Sequence, residues 1–480
     1  MLFNSLQFLI FFPIVTTLYF LLPYKYRWIL LLAASCFFYM AFIPVYILIL
    51  AITIIIDYFA GIWIEESQGR KKKRWLIISI VSTCLVLFIF KYFNFFTANW
   101  DALATFFDWN YSIGALSIIL PIGLSFHTFQ SLSYVIEVYR GNQKAERHFG
   151  IYSLYVMFYP QLVAGPIERP QNILHQLYEK HDFDYERVKS GLLLMAWGLF
   201  KKVVIADRLA VFVNQVYNSP AEYHGFEVII ATFFFAIQIY CDFSGYSDIA
   251  IGSAKVMGYD LMKNFDRPYF SKSVSEFWKR WHISLSTWFR DYVYISMGGN
   301  RVGKWKWYYN LFITFVISGL WHGANWTFII WGALHGFYLV FAIISAPLRE
   351  NLNRILGLTR TPGLLKVLQI TMTFLLVCFA WIFFRANNVS DAFLLIENMT
   401  ELKLSQLSLN MFGTNYYSWI MGILFILIME IIHLFQRTGS IRDYISQKPA
   451  LIRWGLYVVF LIVLLNFGVF NNEEFIYFQF

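Results

Sequence analysis

A histidine lies inside an apolar segment, within the run Ser318-Gly319-Leu320-Trp321-His322-Gly323-Ala324-Asn325-Trp326. Imidazole suits proton transfer, because its ordinary pKa of about 6.5 lets it act first as a base and then as an acid. Gly319 and Gly323 leave room beside it for a substrate or another backbone. The sequence therefore offers His322 as a candidate catalytic base, with a packing histidine bonded to a carbonyl as the alternative. His335 is interpreted as a packing residue.

A second histidine, His282, belongs to residues 275–292. Apolar residues there recur at helical spacing, with charged residues on the other face. This pattern predicts one amphipathic helix, capped by Ser275, with His282 at the edge of its apolar stripe. The competing interpretation is an interfacial histidine beside lipid headgroups.

The most basic part of the chain is the region 263–306, which contains nine Lys and Arg residues and only three acidic residues. Cytoplasmic loops of membrane proteins are usually basic, which accounts for part of this charge. The surplus indicates a ligand that carries phosphate. A turn at Gly298-Gly299-Asn300-Arg301 could offer backbone N–H groups to it. The candidate ligand-binding residues are Lys279, Arg280, Trp281, Arg290, Asn300 and Arg301.

Two further segments combine polar and aromatic residues. In the run 240–248, the carboxylates of Asp242 and Asp248 lie in or beside an apolar stretch, and a structural role is favoured over catalysis. No oxygen cage for calcium or magnesium is visible, so no metal is predicted. The chain ends in Phe475-Ile476-Tyr477-Phe478-Gln479-Phe480. This tail is interpreted either as an interfacial aromatic anchor or as a segment that folds back into the protein and presents the Tyr477 hydroxyl.

The composition is that of a multi-pass membrane protein. Of 480 residues, 59% are hydrophobic and 14% are charged, against roughly 25% charged residues in soluble domains. A spanning helix needs about 20 apolar residues, and we expect about eleven to thirteen spanning or re-entrant helices. The candidate segments run near 5–22, 28–42, 45–64, 75–93, 113–136, 150–165, 188–216, 226–251, 308–321, 325–346, 366–385, 415–435 and 452–470.

Charge also predicts the orientation and the class of partner. The cluster Arg70-Lys71-Lys72-Lys73-Arg74 marks a cytoplasmic loop, whereas the loop 94–111 holds acids and no base. Both termini are therefore expected on the outer, extracytoplasmic side of the membrane. Because the basic residues lie in short loops, lipid is the expected contact and a nucleic acid is not. The whole chain, 1–480, is expected to form one membrane domain, with a cytoplasmic ligand-binding region at 263–306 and an external tail at 471–480.

At these residues the sequence resembles the membrane-bound O-acyltransferase family, in particular the bacterial membrane subunits that O-acetylate alginate or peptidoglycan. The resemblance is strongest in three runs: 242–248, 276–286 and 319–325. It implies an all-α ring of tilted helices around a central funnel. It also implies that His322 is the catalytic histidine, that His282 is the second important histidine, and that acetyl-CoA is the cytoplasmic donor.

The tail resembles the FxYxxF ending of the small partner protein in teichoic-acid D-alanylation. That resemblance implies that Tyr477 is an acyl carrier. Family precedent adds an extracytoplasmic acetyltransferase of the serine-hydrolase type, which would pass acetyl to a polysaccharide. The expected location is a bacterial cytoplasmic membrane. The alternatives are D-alanyl transfer to teichoic acid, acyl transfer to a lipid, and a polytopic transporter, which would not explain the histidine motifs or the tail.

Overall fold

The computed structural model describes residues 1–109, 114–116, 121, 123–163, 165–402, 412, 416–437, 441–470 and 475–476, with the backbone alone at 441–443. These residues form helices joined by short connections, and no strand occurs among them. The predicted all-α class is confirmed. The helices are α1 (Leu6–Leu21), α2 (Tyr24–Met40), α3 (Ile47–Glu66), α4 (Gly69–Leu87), α5 (Phe93–Phe106), α6 (Leu124–Arg140), α7 (Phe149–Met157), α8 (Tyr159–Leu162), α9 (Pro170–Ile173), α10 (Tyr185–Leu199), α11 (Asp207–Asn218), α12 (Phe226–Met257), α13 (Val274–Arg280), α14 (Ile283–Trp288), α15 (Lys304–His322), α16 (Trp326–Ile344), α17 (Ala346–Ile355), α18 (Pro362–Arg385), α19 (Val389–Asn398), α20 (Tyr416–Phe435), α21 (Ile441–Ser446) and α22 (Ala450–Phe467).

Seven helical stretches in the described residues are long and apolar enough to cross a membrane. They are Pro44–Glu66, Gly69–Phe106, Phe226–Met257, Trp326–Ile344, Pro362–Arg385, Tyr416–Phe435 and Ala450–Phe467. This confirms a multi-pass protein, with fewer full-length spans than the apolar segments in the sequence. The segment expected near 150–165 is not one helix, because the chain bends at Phe158 and divides it into α7 and α8.

The chain divides into two compact units. The first comprises residues 1–196 and 246–263, and the second comprises 197–245 and 264–480. The second unit contains both candidate histidines, the basic region from residue 264 onwards and the described part of the tail. Asp248 belongs to the first unit.

Helices α15 and α16 pack tightly against each other in the second unit, and glycines make the approach possible. A Cβ atom on Gly319 would lie 2.2 Å from the carbonyl oxygen of Phe328, and one on Gly323 would lie 2.1 Å from the Phe328 ring. The connection is fixed by Asn325, whose side chain accepts a hydrogen bond from the N–H of Thr327. The room that these glycines provide is therefore filled by the neighbouring helix.

The predicted amphipathic helix at 275–292 is broken. α13 ends at Arg280, Trp281 is extended, and His282 adopts a left-handed conformation with φ of 42° before α14 begins. Asn264 supplies the reason, since its carbonyl accepts the N–H of Ile283 at 2.9 Å and replaces the helical partner. The expectation of a Ser275 cap is also wrong, because Ser273 accepts the Glu276 N–H at 3.1 Å.

Candidate functional site

His322 is the last residue of α15, and aromatic rings surround it. Its side chain is buried, at 4% exposure. The imidazole centroid lies 4.8 Å from the ring of Trp321, 4.9 Å from that of Trp331 and 5.3 Å from that of Phe384. Each of these rings stands roughly edge-on to the imidazole, as aromatic pairs prefer. The cage fixes the orientation of the imidazole where α15 ends and the chain turns.

His335 also packs on Trp331, with 5.0 Å between the two ring centroids. It is fully buried in α16, and its Nδ1 accepts a hydrogen bond from the indole N–H of Trp278 at 3.3 Å. Since the bond ties α16 to α13, His335 has the packing role that the sequence predicted.

His282 is completely buried, at 0% exposure, so its interpretation as an interfacial histidine is wrong. Its ring stands edge-on to Phe243 with 4.5 Å between centroids and lies nearly parallel to Phe265 at 6.3 Å. Trp321, the neighbour of His322, is 6.5 Å from it. Burial lowers the pKa of His282 to about 3, and the neutral ring that results carries one N–H donor and one acceptor.

Two residues of the tail lie inside the second unit. Phe475 and Ile476 are 0% and 2% exposed, and the Phe475 ring lies 5.6 Å from that of Phe243. These two residues are therefore core residues, which contradicts a purely interfacial anchor. Tyr477, the predicted carrier, lies outside the described residues.

Asp242 has the structural role that the sequence favoured. Its Oδ2 accepts the backbone N–H of Ile476 at 2.8 Å, and its Oδ1 lies 2.9 Å from the ammonium of Lys202. Asp248 is half-buried in the first unit. Sequence reasoning missed the buried Lys201 and Lys202, although two lysines inside the apolar segment 188–216 were a visible signal.

Two of the predicted basic residues of the region 263–306 have acidic partners, although Arg290, with 59% of its side chain exposed, also lies at the surface. Arg280 bonds to Glu276 at 2.7 Å, and Arg290 bonds to Asp291 at 2.7 Å. Lys279, Asn300 and Arg301 are exposed, and neither of the two basic ones has an ion pair in the described part of the chain. These three are the better candidates for contact with a phosphate.

The predicted turn at Gly298-Gly299 is present. The two glycines have φ values of 101° and 55°, which favour glycine. Asn310 fixes the turn by donating from Nδ2 to the carbonyls of Met297 and Gly299, at 3.2 and 3.0 Å. Asn300 and Arg301 are therefore presented from a braced turn.

Trp281 lies in the core instead of on this surface. It is 1% exposed, and its ring packs against Phe277 and Trp381 at centroid distances of 5.5 and 5.2 Å. This packing gives Trp281 a role in the core, and its contact with a donor stays a prediction. Across the described residues, no group of three or more His, Cys, Asp or Glu side chains could hold a metal ion.

Comparison with known proteins connects this geometry to a family. The model of the membrane-bound O-acyltransferase family matches residues 148–385, which include both His282 and His322. The chain is 40% identical over 412 residues to the probable alginate O-acetylase AlgI of Pseudomonas aeruginosa, covering 85% of this chain and 76% of that protein. It is 35% identical over 399 residues to the peptidoglycan O-acetyltransferase of Helicobacter pylori, covering 78% and 73%. It is 27% identical over 281 residues to the teichoic acid D-alanyltransferase of Bacillus subtilis, covering 56% and 69%.

Proposed function

Because this chain belongs to the membrane-bound O-acyltransferase family and is a multi-pass membrane acyltransferase, we propose that it moves acetyl from cytoplasmic acetyl-CoA to a polysaccharide outside the cell. The relatives named alginate O-acetylase and peptidoglycan O-acetyltransferase support a polysaccharide acceptor. The carrier in this proposal is Tyr477, and an extracytoplasmic acetyltransferase of the serine-hydrolase type completes the transfer to the polysaccharide.

The observation that best supports this mechanism is the buried tail. Phe475 and His282 pack on the same ring, that of Phe243, at 5.6 and 4.5 Å. The backbone that leads into Tyr477 is therefore seated beside one of the two candidate histidines. A tail that served only as a membrane anchor would have no reason to enter this core.

The reaction transfers the acetyl group from the sulfur of CoA to the phenolic oxygen of Tyr477. His322 takes the phenolic proton of Tyr477, and the phenolate oxygen attacks the thioester carbonyl of acetyl-CoA. The carbon–sulfur bond then breaks, and CoA leaves as a thiol after it receives the proton from His322. A phenol with a pKa of about 10 needs such a base at neutral pH. His282, neutral because it is buried, has an N–H with which to orient the donor or stabilise the oxyanion.

The exposed cations of the region 263–306 support the choice of donor. Lys279 and Arg301 are exposed and can contact the phosphates of acetyl-CoA. The turn before Asn300 is stabilised by the hydrogen bond that Asn310 donates to the carbonyl of Gly299. In this proposal the region lies on the cytoplasmic side of a bacterial cytoplasmic membrane, and both termini lie on the outer side of that membrane.

D-alanyl transfer to teichoic acid is the nearest alternative. The relative of that name is 27% identical over 281 residues, whereas the probable alginate O-acetylase is 40% identical over 412. The longer and closer similarity favours acetyl transfer. Acyl transfer to a lipid remains the other option within the fold, and family membership removes the transporter interpretation.

The proposal is tested with detergent-purified protein and radiolabelled acetyl-CoA. Wild type is compared with His322→Ala and Tyr477→Phe, and labelled peptides are mapped by mass spectrometry. We expect label on the C-terminal peptide of the wild type and on neither variant. His335→Gln is the matched control, because His335 flanks the same Trp331 and has only a packing role.

The outcomes separate the parts of the mechanism. Label that survives in Tyr477→Phe would overturn the carrier role, and label that survives in His322→Ala would overturn the base. A wild type that takes label only from a D-alanyl carrier protein or from long-chain acyl-CoA would point to the corresponding alternative donor.

A further inference from the structure

The described end of the chain is held by backbone hydrogen bonds at two places. Just after α22, the N–H of Val469 donates to the carbonyl of Val203 at 2.8 Å. Further along, the N–H of Ile476 donates to the carboxylate of Asp242 at 2.8 Å, in a buried environment. Because both donors are backbone N–H groups, the two bonds do not depend on the side chains of Val469 and Ile476.

The second of these partners belongs to a buried ionic group. The ammonium of Lys202 lies 2.7 Å from Asp207 and 2.9 Å from Asp242, and all three side chains are at most 3% exposed. A lone carboxylate in such a place would be costly, and pairing with a cation offsets much of that cost. Lys202 therefore offsets much of the cost of burying the Asp242 carboxylate.

The local backbone explains how Lys202 reaches this position. Between α10 and α11 the helix widens into a π-helical segment, Phe200–Ala206, all of whose residues are buried. Such segments are rare and are frequently found at functional sites. The same segment contains Val203, so the lysine of the ionic group and the backbone acceptor of the Val469 N–H come from one structural element.

We propose that Asp242, paired with Lys202, is the positioning residue of the C-terminal tail. One carboxylate oxygen faces Lys202, and the other fixes the N–H of Ile476, the residue directly before Tyr477. The inference rests on the proposed function, in which Tyr477 carries the acetyl group. Asp242 acts through the tail backbone and takes no part in the chemical step.

A carboxylate is required at this position for a simple reason. Asp242 meets two donors, the Lys202 ammonium and the Ile476 N–H, and a carboxylate offers an acceptor to each. An asparagine has one acceptor and one donor group. Its oxygen can therefore accept from only one of the two donors, Lys202 or the Ile476 N–H. Its amide NH₂ group then points at the other donor and cannot bond to it. Asp242→Asn keeps the size of the side chain while removing one of its two contacts.

The first experiment measures whether the tail stays seated. Ile476→Cys keeps the backbone N–H and places a buried thiol on the tail, and its labelling by a maleimide is followed by mass spectrometry. We expect slow labelling, and an increase of about tenfold or more when Asp242→Asn is added, since a charge-assisted hydrogen bond is lost. Phe470→Cys, at an exposed position, gives the rate of an accessible thiol. Glu227→Gln, at the start of the same helix α12, is the matched control and should leave labelling slow.

The second experiment removes the donor and leaves the ionic group untouched. Ile476→Pro has no N–H at that position, and it lies outside the helices α1–α22. We expect kcat for acetyl transfer to fall at least tenfold, with KM for acetyl-CoA unchanged. Ile476→Val retains the N–H and should keep normal kcat. The native Cys241, which is buried, reports any general loss of folding in Asp242→Asn.

The outcomes are distinct. If Ile476→Cys is labelled fast before Asp242 is changed, or stays protected after Asp242→Asn, the positioning role is wrong. If Cys241 also becomes reactive, Asp242→Asn has disturbed the whole fold, and Ile476→Pro then decides: normal kcat in that variant overturns the proposal. If Asp242→Asn frees the tail and acetyl transfer is unaffected, the anchoring role stands and the carrier function of Tyr477 fails.

Discussion

The imidazole of His282 stands edge-on to the ring of Phe243, with 4.5 Å between the two centroids and 77° between the planes. The same ring contacts Phe475 of the tail at 5.6 Å. Phe243 is fully buried in α12, one residue after Asp242. Neighbouring residues of one helix thus contact the tail backbone, a tail side chain and a candidate active-site histidine, so a disturbance of the tail reaches His282 through a single ring.

Phe475→Ala is expected to unseat the tail. Removal of a fully buried phenylalanine costs about 3–5 kcal/mol, and here the lost contacts are those that hold the tail in the core. Acetyl transfer should fall at least tenfold, and the melting temperature of the protein in detergent should fall as well. Phe470→Ala, at an exposed position shortly after α22, should behave as wild type. Normal transfer by Phe475→Ala would show that the buried ring is dispensable.

His282 predicts a pH dependence of stability. Its pKa in the folded protein is lowered to about 3 by burial, whereas an unfolded histidine has a pKa of about 6.5. Between these values the unfolded state binds a proton that the folded state does not, so stability falls as the pH drops below about 6.5. The loss approaches about 1.4 kcal/mol for each pH unit in that window.

His282→Gln removes this contribution. Relative to wild type, the variant should lose less stability between pH 6.5 and pH 4, measured as unfolding midpoints in detergent at each pH. The other histidines are common to both proteins, so they cancel in the difference. Parallel stability curves for the two proteins would mean that His282 is protonated at its ordinary pKa in the folded state.

The membrane architecture and the main candidate base could be predicted from sequence because both depend on local patterns. Long apolar stretches specify spanning helices whatever their partners, and His322 is conspicuous in such a stretch. The glycines beside it also indicated a close approach. What the sequence left open was the identity of the approaching group, which is the backbone and ring of Phe328.

The break at His282 and the ionic group around Asp242 could not be predicted, because long-range partners determine both. The apolar spacing of 275–292 fits a continuous helix, but the carbonyl of Asn264 accepts the N–H of Ile283 where the chain leaves it. Asp242 has a partner 40 residues earlier, Lys202, and one near the chain end, Ile476. Helical periodicity carries no information about contacts of this kind.

The exposed cations predict a specific kinetic change. Lys279→Gln and Arg301→Gln should each raise KM for acetyl-CoA severalfold and leave kcat nearly unchanged, because a phosphate contact contributes to binding before and during the reaction alike. Added salt should weaken donor binding by wild type more than by the variants. Arg280→Gln is the contrasting case. It should lower the melting temperature, since Arg280 is already bonded to Glu276. An unchanged KM in both exposed-site variants would place the donor elsewhere.

Gly319→Ala tests whether the packing of α15 on α16 sets the position of His322. The new methyl group would lie 2.2 Å from the Phe328 carbonyl oxygen, so the helices must separate, at a cost of about 1–3 kcal/mol for overpacking. Because His322 is less than one turn further along α15, we expect acetyl transfer to fall together with the melting temperature. Gly455→Ala in α22 is the matched control, since a Cβ there meets nothing within 4 Å and alanine favours a helix. It should be neutral or slightly stabilising. If Gly319→Ala retains both activity and stability, the close approach of the two helices does not determine the geometry of His322.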